Sequence, residues 1–406
     1  MGENLNPAPM EQREEETHAL SYTERKQRWL REELGLRFDP FEYLDGGADP
    51  NLPRYLVDHG AFAALWGDWP AFLFAPPGGG KTAFRVRLMR ACRVGQEGRK
   101  IFPVLFRPPR PRRADEPVPE EEFFNTLLRD AGAGLLFQLA YQPQGFLELP
   151  YAERRILRRL LEQTLPAPLD YYLLQLKDAG SLNPLAQAFD PTARDLPAEP
   201  LPPTIRLFCE TLSENGHREE LESVPPAGQM VGHFFQTLFS LLRYESIYLL
   251  VDGADAYTQD PLSIVRIVEP LLNQLRDLAE RKIFVKFFLP GDVAPQIPDT
   301  LLTEPTKVVI INWKRDSLAA ILRERLYVAS EGMYDALEAI ATRDIPSPAG
   351  ECLAEAAHPA VPREVILLAQ RLFTEHILRV GPYGLLEAAD FDNALRWYRA
   401  QRRAEA

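Results

Sequence analysis

The sequence predicts an α/β protein: a five-stranded, mainly parallel sheet with a long helical insertion, followed by an all-α C-terminal part. Three observations carry this. Five short apolar runs stand at residues 71–75 (AFLFA), 101–106 (IFPVLF), 246–252 (SIYLLVD), 283–289 (IFVKFFL) and 306–311 (TKVVII). Most of them alternate with segments of helical period, the pattern of parallel strands covered on both faces. From residue 316 onward the chain keeps helical period and offers no further strand. Right-handed crossovers then bring the strand-to-helix loops to one edge of the sheet, where ligands bind.

Taken in order, residues 23–36 (TERKQRWLREELGL) read as an amphipathic helix with Gly35 near its end. The Pro-, Gly- and Asp-rich stretch after it is an irregular approach. Strand 71–75 runs into glycines, and the helix that follows, 81–94, carries Phe84, Leu88 and Cys92 on one stripe. Pro103 places strand 101–106 near a sheet edge, because proline cannot donate to a ladder. Helical period then marks 120–142, 151–165 and 232–244, with a proline-rich loop at 190–204. A helical stretch separates strands 246–252 and 283–289. The C-terminal part reads as helices near 316–329, 333–341, 362–378 and 388–401.

Composition sets outer limits. At 406 residues the chain suits two or three domains, and 46% apolar residues can fill a large core. A net charge of −12 argues against a surface that grips nucleic acid over its whole extent. Cys92, Cys209 and Cys352 lie far apart, which gives neither a metal pair nor a disulfide framework and points to a reducing, cytoplasmic setting. The first sixteen residues carry neither an apolar core nor a basic leader, so no signal peptide is read there, and no run is long enough for a membrane span. The six histidines show no metal spacing, and His358 reads as structural.

The chemistry concentrates at FAPPGGGKTAF, residues 74–84. A loop that cradles polyphosphate needs several backbone N–H groups aimed at one point and a helix N-terminus behind them. Gly78, Gly79 and Gly80 let the backbone turn inward. Lys81 can reach the outer phosphates, Thr82 can offer its hydroxyl to Mg²⁺, and Ala83 belongs to the same first turn. Pro76 and Pro77 stiffen the rising limb, away from the donor end. Ala75 is the departure, a small residue where the usual pattern has its first glycine.

A second motif is IYLLVDGADAY, residues 247–257. Asp252 at a strand end can hold the water shell of Mg²⁺ opposite Thr82, although a strand ending in Asp-Gly is also an ordinary turn. Asp255 either positions the attacking water or caps the turn that follows. Gly253 stands directly after the metal aspartate, a place where many ATPases carry glutamate, so slow hydrolysis is expected.

The pairing of APPGGGKT with LLVDGAD resembles the additional-strand class of P-loop NTPases, above all bacterial STAND-type and KAP-like proteins and their AAA+ relatives. The likeness spans roughly residues 38–373, but its specific part is the two motifs. It implies a sheet with the loop strand in the middle and a helical lid behind it. On this reading residues 1–37 form a lead-in, 38–311 the nucleotide-binding domain with an insertion at about 115–240, and 312–406 the lid. It also implies a role for HPAVPREVILLAQRLF: Arg363 resembles the lid arginine that reaches the γ-phosphate, while a helix start with an exposed arginine is the plainer alternative. Ala256 departs from the glutamate usual in STAND proteins, no repeat array follows the lid, and the long interval from Lys81 to Asp252 makes the insertion a candidate recognition element. The implied cofactors are ATP, with GTP not distinguished, and Mg²⁺.

The implied activity is a slowly hydrolysing ATP switch that engages a partner protein and forms nucleotide-dependent homo-oligomers, with no membrane role. The alternative is an oligomeric nucleic-acid-associated ATPase, for which the basic run RPPRPRR at 107–113 is the main feature; an acidic run follows it at once. In ERRILRRLLEQ, Ile156, Leu157, Leu160 and Leu161 form an apolar side opposite arginines, for core packing or for a partner. The C-terminal RWYRAQRRAEA reads as a solubilising basic tail.

Overall fold

The computed structural model describes residues 20–112, 117–178, 182, 185, 201–214 and 226–405. The first sixteen residues, the stretch 190–200 and Arg113 therefore lie outside the described residues. The five apolar runs are the five strands: β1 Ala71–Ala75, β2 Ile101–Phe106, β3 Ser246–Val251, β4 Ile283–Pro290 and β5 Lys307–Ile310. All pair in parallel, in the order β2-β3-β4-β1-β5. β2 is an edge strand, as Pro103 requires. β1 is interior, between β4 and β5, while β4 holds the centre. Strands β1, β3 and β4 are buried along their whole length, which explains their apolar runs; Lys286 on β4 is the one charged residue among them. At the other edge β5 exposes Val308 and Ile310. Among the described residues no helix is long and apolar enough to cross a membrane.

The chain divides into two compact units. One holds Gly46–Pro53 and Asp58–Asn312, that is, the sheet and its helices. The described helices between β2 and β3 pack on this core. Helices Glu120–Tyr141 and Ala227–Leu241 place Leu135, Leu136, Phe234 and Phe235 in one apolar cluster with Phe72, Phe102 and Phe106. Helix Tyr151–Thr164 buries Leu157, Leu160 and Leu161, but Ile156 is exposed and Arg158 is buried, the reverse of the expected partition. Arg158 pairs with Glu162 at 2.8 Å and donates to the carbonyls of Leu212 and Ser213, the orphan acceptors at the end of helix Ile205–Glu214. That helix and Leu169–Asp178 escaped the sequence reading because both are short and flank a proline-rich stretch.

The other unit joins the N-terminal segment up to Asp45 and residues 54–57 to everything from Trp313 onward. The lead-in does not stand apart: Trp29, Leu34, Leu36 and Phe41 share a core with Leu322, Phe373 and Ile377. The first described helix, Tyr22–Arg28, opens on a reciprocal Ser21–Glu24 cap and continues as a π-helical turn, Trp29–Glu33, in place of one regular helix to 36. Helices Arg315–Ala329, Pro362–Arg379 and Ala388–Glu405 form as expected, and Ala349–Ala356 is an addition. Residues 333–341 give only a 3₁₀ turn, Leu337–Ile340, because this segment buries little beyond Leu337 and Ile340.

The basic C-terminus is not a free tail. On Ala388–Glu405, Tyr398 donates to buried Glu364 at 2.7 Å and Arg402 pairs with the same carboxylate. Arg402→Ala should cost about 1 kcal/mol, because the pair is partly exposed and Tyr398 still serves Glu364. Urea unfolding against wild type reads that difference, and an unchanged midpoint would show that the pair contributes nothing.

Candidate functional site

β1 ends at Ala75, paired with Pro290 of β4, in ordinary strand conformation. No left-handed backbone is needed there, so an alanine serves. Gly79 N–H donates to the Pro76 carbonyl at 2.9 Å and closes a four-residue turn. Pro77 sits at its second position and Gly78, with φ +75, at its third, the residue pattern of a type II turn. Gly79 leaves no room for a side chain, since a β-carbon would stand 2.8 Å from the Pro76 oxygen. Gly80, with φ +96, caps the helix Lys81–Val94. The three glycines thus answer three separate backbone demands. The turn delivers the chain to a helix start where the N–H groups of Lys81, Thr82 and Ala83 have no intrahelical acceptor and carry partial positive charge. The backbone at Gly46 passes this turn: a β-carbon there would lie 4.0 Å from the Thr82 β-carbon and the Ala83 nitrogen.

The acids arrive from β3. Asp252 extends the strand by one residue, its N–H donating to Phe106 at 3.2 Å, and Gly253 (φ +83) then bends the chain into the 3₁₀ turn Ala254–Ala256. The result is two ion pairs. Lys81 Nζ lies 3.2 Å from Asp255 Oδ2, and Arg85 Nε lies 2.8 Å from Asp252 Oδ2. Lys81 and Arg85 are one helical turn apart, so both face the two acids from one side. The inner pair is the more enclosed, its side chains 6% and 13% exposed against 11% and 28% for the outer pair. Gly253 N–H donates to Asp252 Oδ1 at 2.9 Å. Burial pushes the Asp252 carboxyl up. Arg85 opposes that, the Asp255 charge adds to it, and Lys81 opposes it again.

The fold therefore brings Lys81, Asp252 and Asp255 together at the sheet edge that also carries the glycine turn. Arg363 lies in the other unit, exposed on the first turn of its helix. Arg85 is the residue that motif reading passed over; its four-residue spacing from Lys81 was the available signal. Among the described residues no group of three or more His, Cys, Asp or Glu could hold a metal ion on protein ligands alone. Arg110 and Arg112, in the basic run after β2, are exposed, and the Arg107 N–H is bound by Asp130. A scan of protein-family models finds none that matches the chain, and a search of curated proteins returns no match.

Proposed function

We propose that this chain is an ATP-binding, Mg²⁺-dependent switch with slow hydrolysis, its nucleotide phosphates held at the turn 76–80 and the start of helix Lys81–Val94. The observation that carries this reading is the turn itself. Three consecutive glycines, each required by its own backbone geometry, aim a helix N-terminus and a lysine at the point where an acid-tipped strand ends. Helix starts of this kind bind phosphate through N–H groups and dipole together. A strand, β4, stands between the loop strand β1 and the acid strand β3, which agrees with the additional-strand class that the motifs resemble.

In this reading Lys81 neutralises the outer phosphates. Thr82 and Asp252 offer Mg²⁺ a hydroxyl and a carboxylate, a donor set that suits an ion taking its other ligands from phosphate oxygens and water. The ion neutralises charge on the phosphates. Asp255, released by Lys81 when phosphate arrives, orients the water. For the partner surface we assign the outer helices of the insertion, where Tyr171, Leu174 and Leu207 are exposed.

ATP with Mg²⁺ should stabilise the wild type by mass action, by about 2.7 kcal/mol at a hundredfold excess over Kd. Lys81→Ala should lose this. Thermal unfolding with and without ATP·Mg²⁺ reads both, and a wild type indifferent to ATP, or a Lys81→Ala protein that keeps the full shift, would end the proposal.

A further inference from the structure

The geometry points to Arg85 as a built-in counter-ion that occupies Asp252 in place of a divalent cation, so that Asp252 becomes available to metal only when Arg85 gives way. This rests on the reading of Asp252 as a Mg²⁺ ligand. The supporting facts are spatial. Both oxygens of Asp252 are engaged, Oδ2 by the Arg85 guanidinium at 2.8 Å and Oδ1 by the Gly253 N–H at 2.9 Å. The Arg85 side chain is itself buried, 6% exposed, on a helix fixed by the core through Leu88, Ala91 and Cys92. A buried carboxylate cannot stay charged and unpaired without a large cost, so a cation must serve Asp252 whenever it is ionised. A guanidinium and a hydrated Mg²⁺ compete for the charge of one carboxylate, so the buried Arg85 weakens the hold of Asp252 on the ion. The outer pair repeats the logic, with Asp255 holding Lys81 until a phosphate takes it. Together the pairs are self-neutral: two cations of one helix face meet two acids of one turn. Phosphate and metal must arrive together to exchange both. A free divalent cation, with no phosphate to draw Lys81 away, finds the inner acid already matched. Arg85 is thus a positioning residue that makes metal binding conditional on nucleotide.

The test uses Mg²⁺ alone, without nucleotide, on the full chain. Unfolding temperature is followed as millimolar MgCl₂ is added to wild type, Arg85→Lys, Arg85→Gln and the double variant Arg85→Gln with Asp252→Asn. Wild type should not move. Arg85→Gln should unfold several degrees lower and regain most of that loss with Mg²⁺. Arg85→Lys should lie between, because a shorter ammonium lacks the planar fork and holds the carboxylate less firmly. The double variant should not respond, since its neutral amide offers no charge to the ion. An Arg85→Gln protein deaf to Mg²⁺, a wild type that responds as strongly, or a double variant that still responds would each overturn the proposal. If Arg85→Gln does not fold, Arg85→Lys decides: a Lys variant indifferent to Mg²⁺ overturns it. ATP·Mg²⁺ added to wild type separates the two readings. Stabilisation there with no Mg²⁺ ordering among the Arg85 variants sinks Arg85 alone, whereas the ordering without any ATP effect sinks the nucleotide reading alone.

Discussion

Asp255→Asn should slow phosphate release from ATP by about 10²–10⁴-fold, the usual worth of a positioned acid–base group, while nucleotide binds at least as tightly as to wild type. The two effects separate because of where Asp255 stands. Its carboxylate holds Lys81 at 3.2 Å, so on the proposed reading it would compete with the phosphates for the same ammonium. Asparagine keeps the shape and removes the competing charge, which favours binding. It also removes the only oxygen on this turn with the charge to draw a proton from water beside Asp252. Glutamate at the next position would be strained, since Gly253 has φ +83 and only the backbone conformation, not space, stands against a side chain there. The bend that aims Asp255 at Lys81 is therefore the reason that the residue after Asp252 is glycine. Steady-state phosphate release together with an equilibrium binding titration reads both numbers. Unchanged release would reduce Asp255 to a cap on its own turn, and weakened binding would show that the Lys81 pair organises the site instead of competing for it.

The strands were legible almost to the residue, and for one reason. A parallel strand buried on both faces is mostly apolar, and AFLFA, SIYLLV and IFVKFFLP, with Lys286 the one charged residue among them, stand out within a residue of their bounds. The position of β2 followed from one residue, Pro103. Helices were legible where their apolar stripe was long, as in Lys81–Val94, and were lost where it was short, as in Ile205–Glu214. Ile156 was misassigned because helical period does not fix where the buried arc ends: Leu157, Leu160 and Leu161 of the same side do face the core, and Ile156 lies at its rim. For the site, the glycine turn and Lys81 were legible because they are contiguous in sequence. Arg85 was not, because its meaning depends on Asp252, which reaches it only through the order of β1, β4 and β3. A four-residue spacing on a helix is common; it becomes a paired site only when two acids are delivered opposite it.

At the far end of the sheet, Lys286 predicts how stability depends on pH. It sits on β4 opposite Ala71, the first residue of β1, fully buried. Its ammonium donates to the carbonyls of Gly67 at 2.8 Å and Trp69 at 2.6 Å and lies 4.5 Å from the centre of the Tyr248 ring, which clamps the turn that leads into β1. Burial pushes this amine down from 10.5 to about 7; Cys92 and Asp68 pull it back up and Arg99 adds to the fall. The sign follows from proton counting. Between about pH 7 and 10.5 the unfolded chain carries a proton on this lysine that the folded chain has lost, so stability must rise with pH across that window, by up to about 1.4 kcal/mol per unit. Below pH 7 both states carry it and the contribution is flat. The sum across the window approaches roughly 4–5 kcal/mol, large against the stability of an ordinary domain. Lys286→Met lacks the titrating group, at the expense of the Trp69 carbonyl, which loses its lysine donor at about 1–3 kcal/mol at every pH, while the Gly67 carbonyl still accepts the Trp69 N–H at 3.0 Å. Subtracting the variant from wild type cancels the other titrating groups to first order. That difference in unfolding free energy should climb from pH 7 to 10; a flat difference would mean that the amine keeps its proton in the core, held by the two carbonyls and the Tyr248 ring.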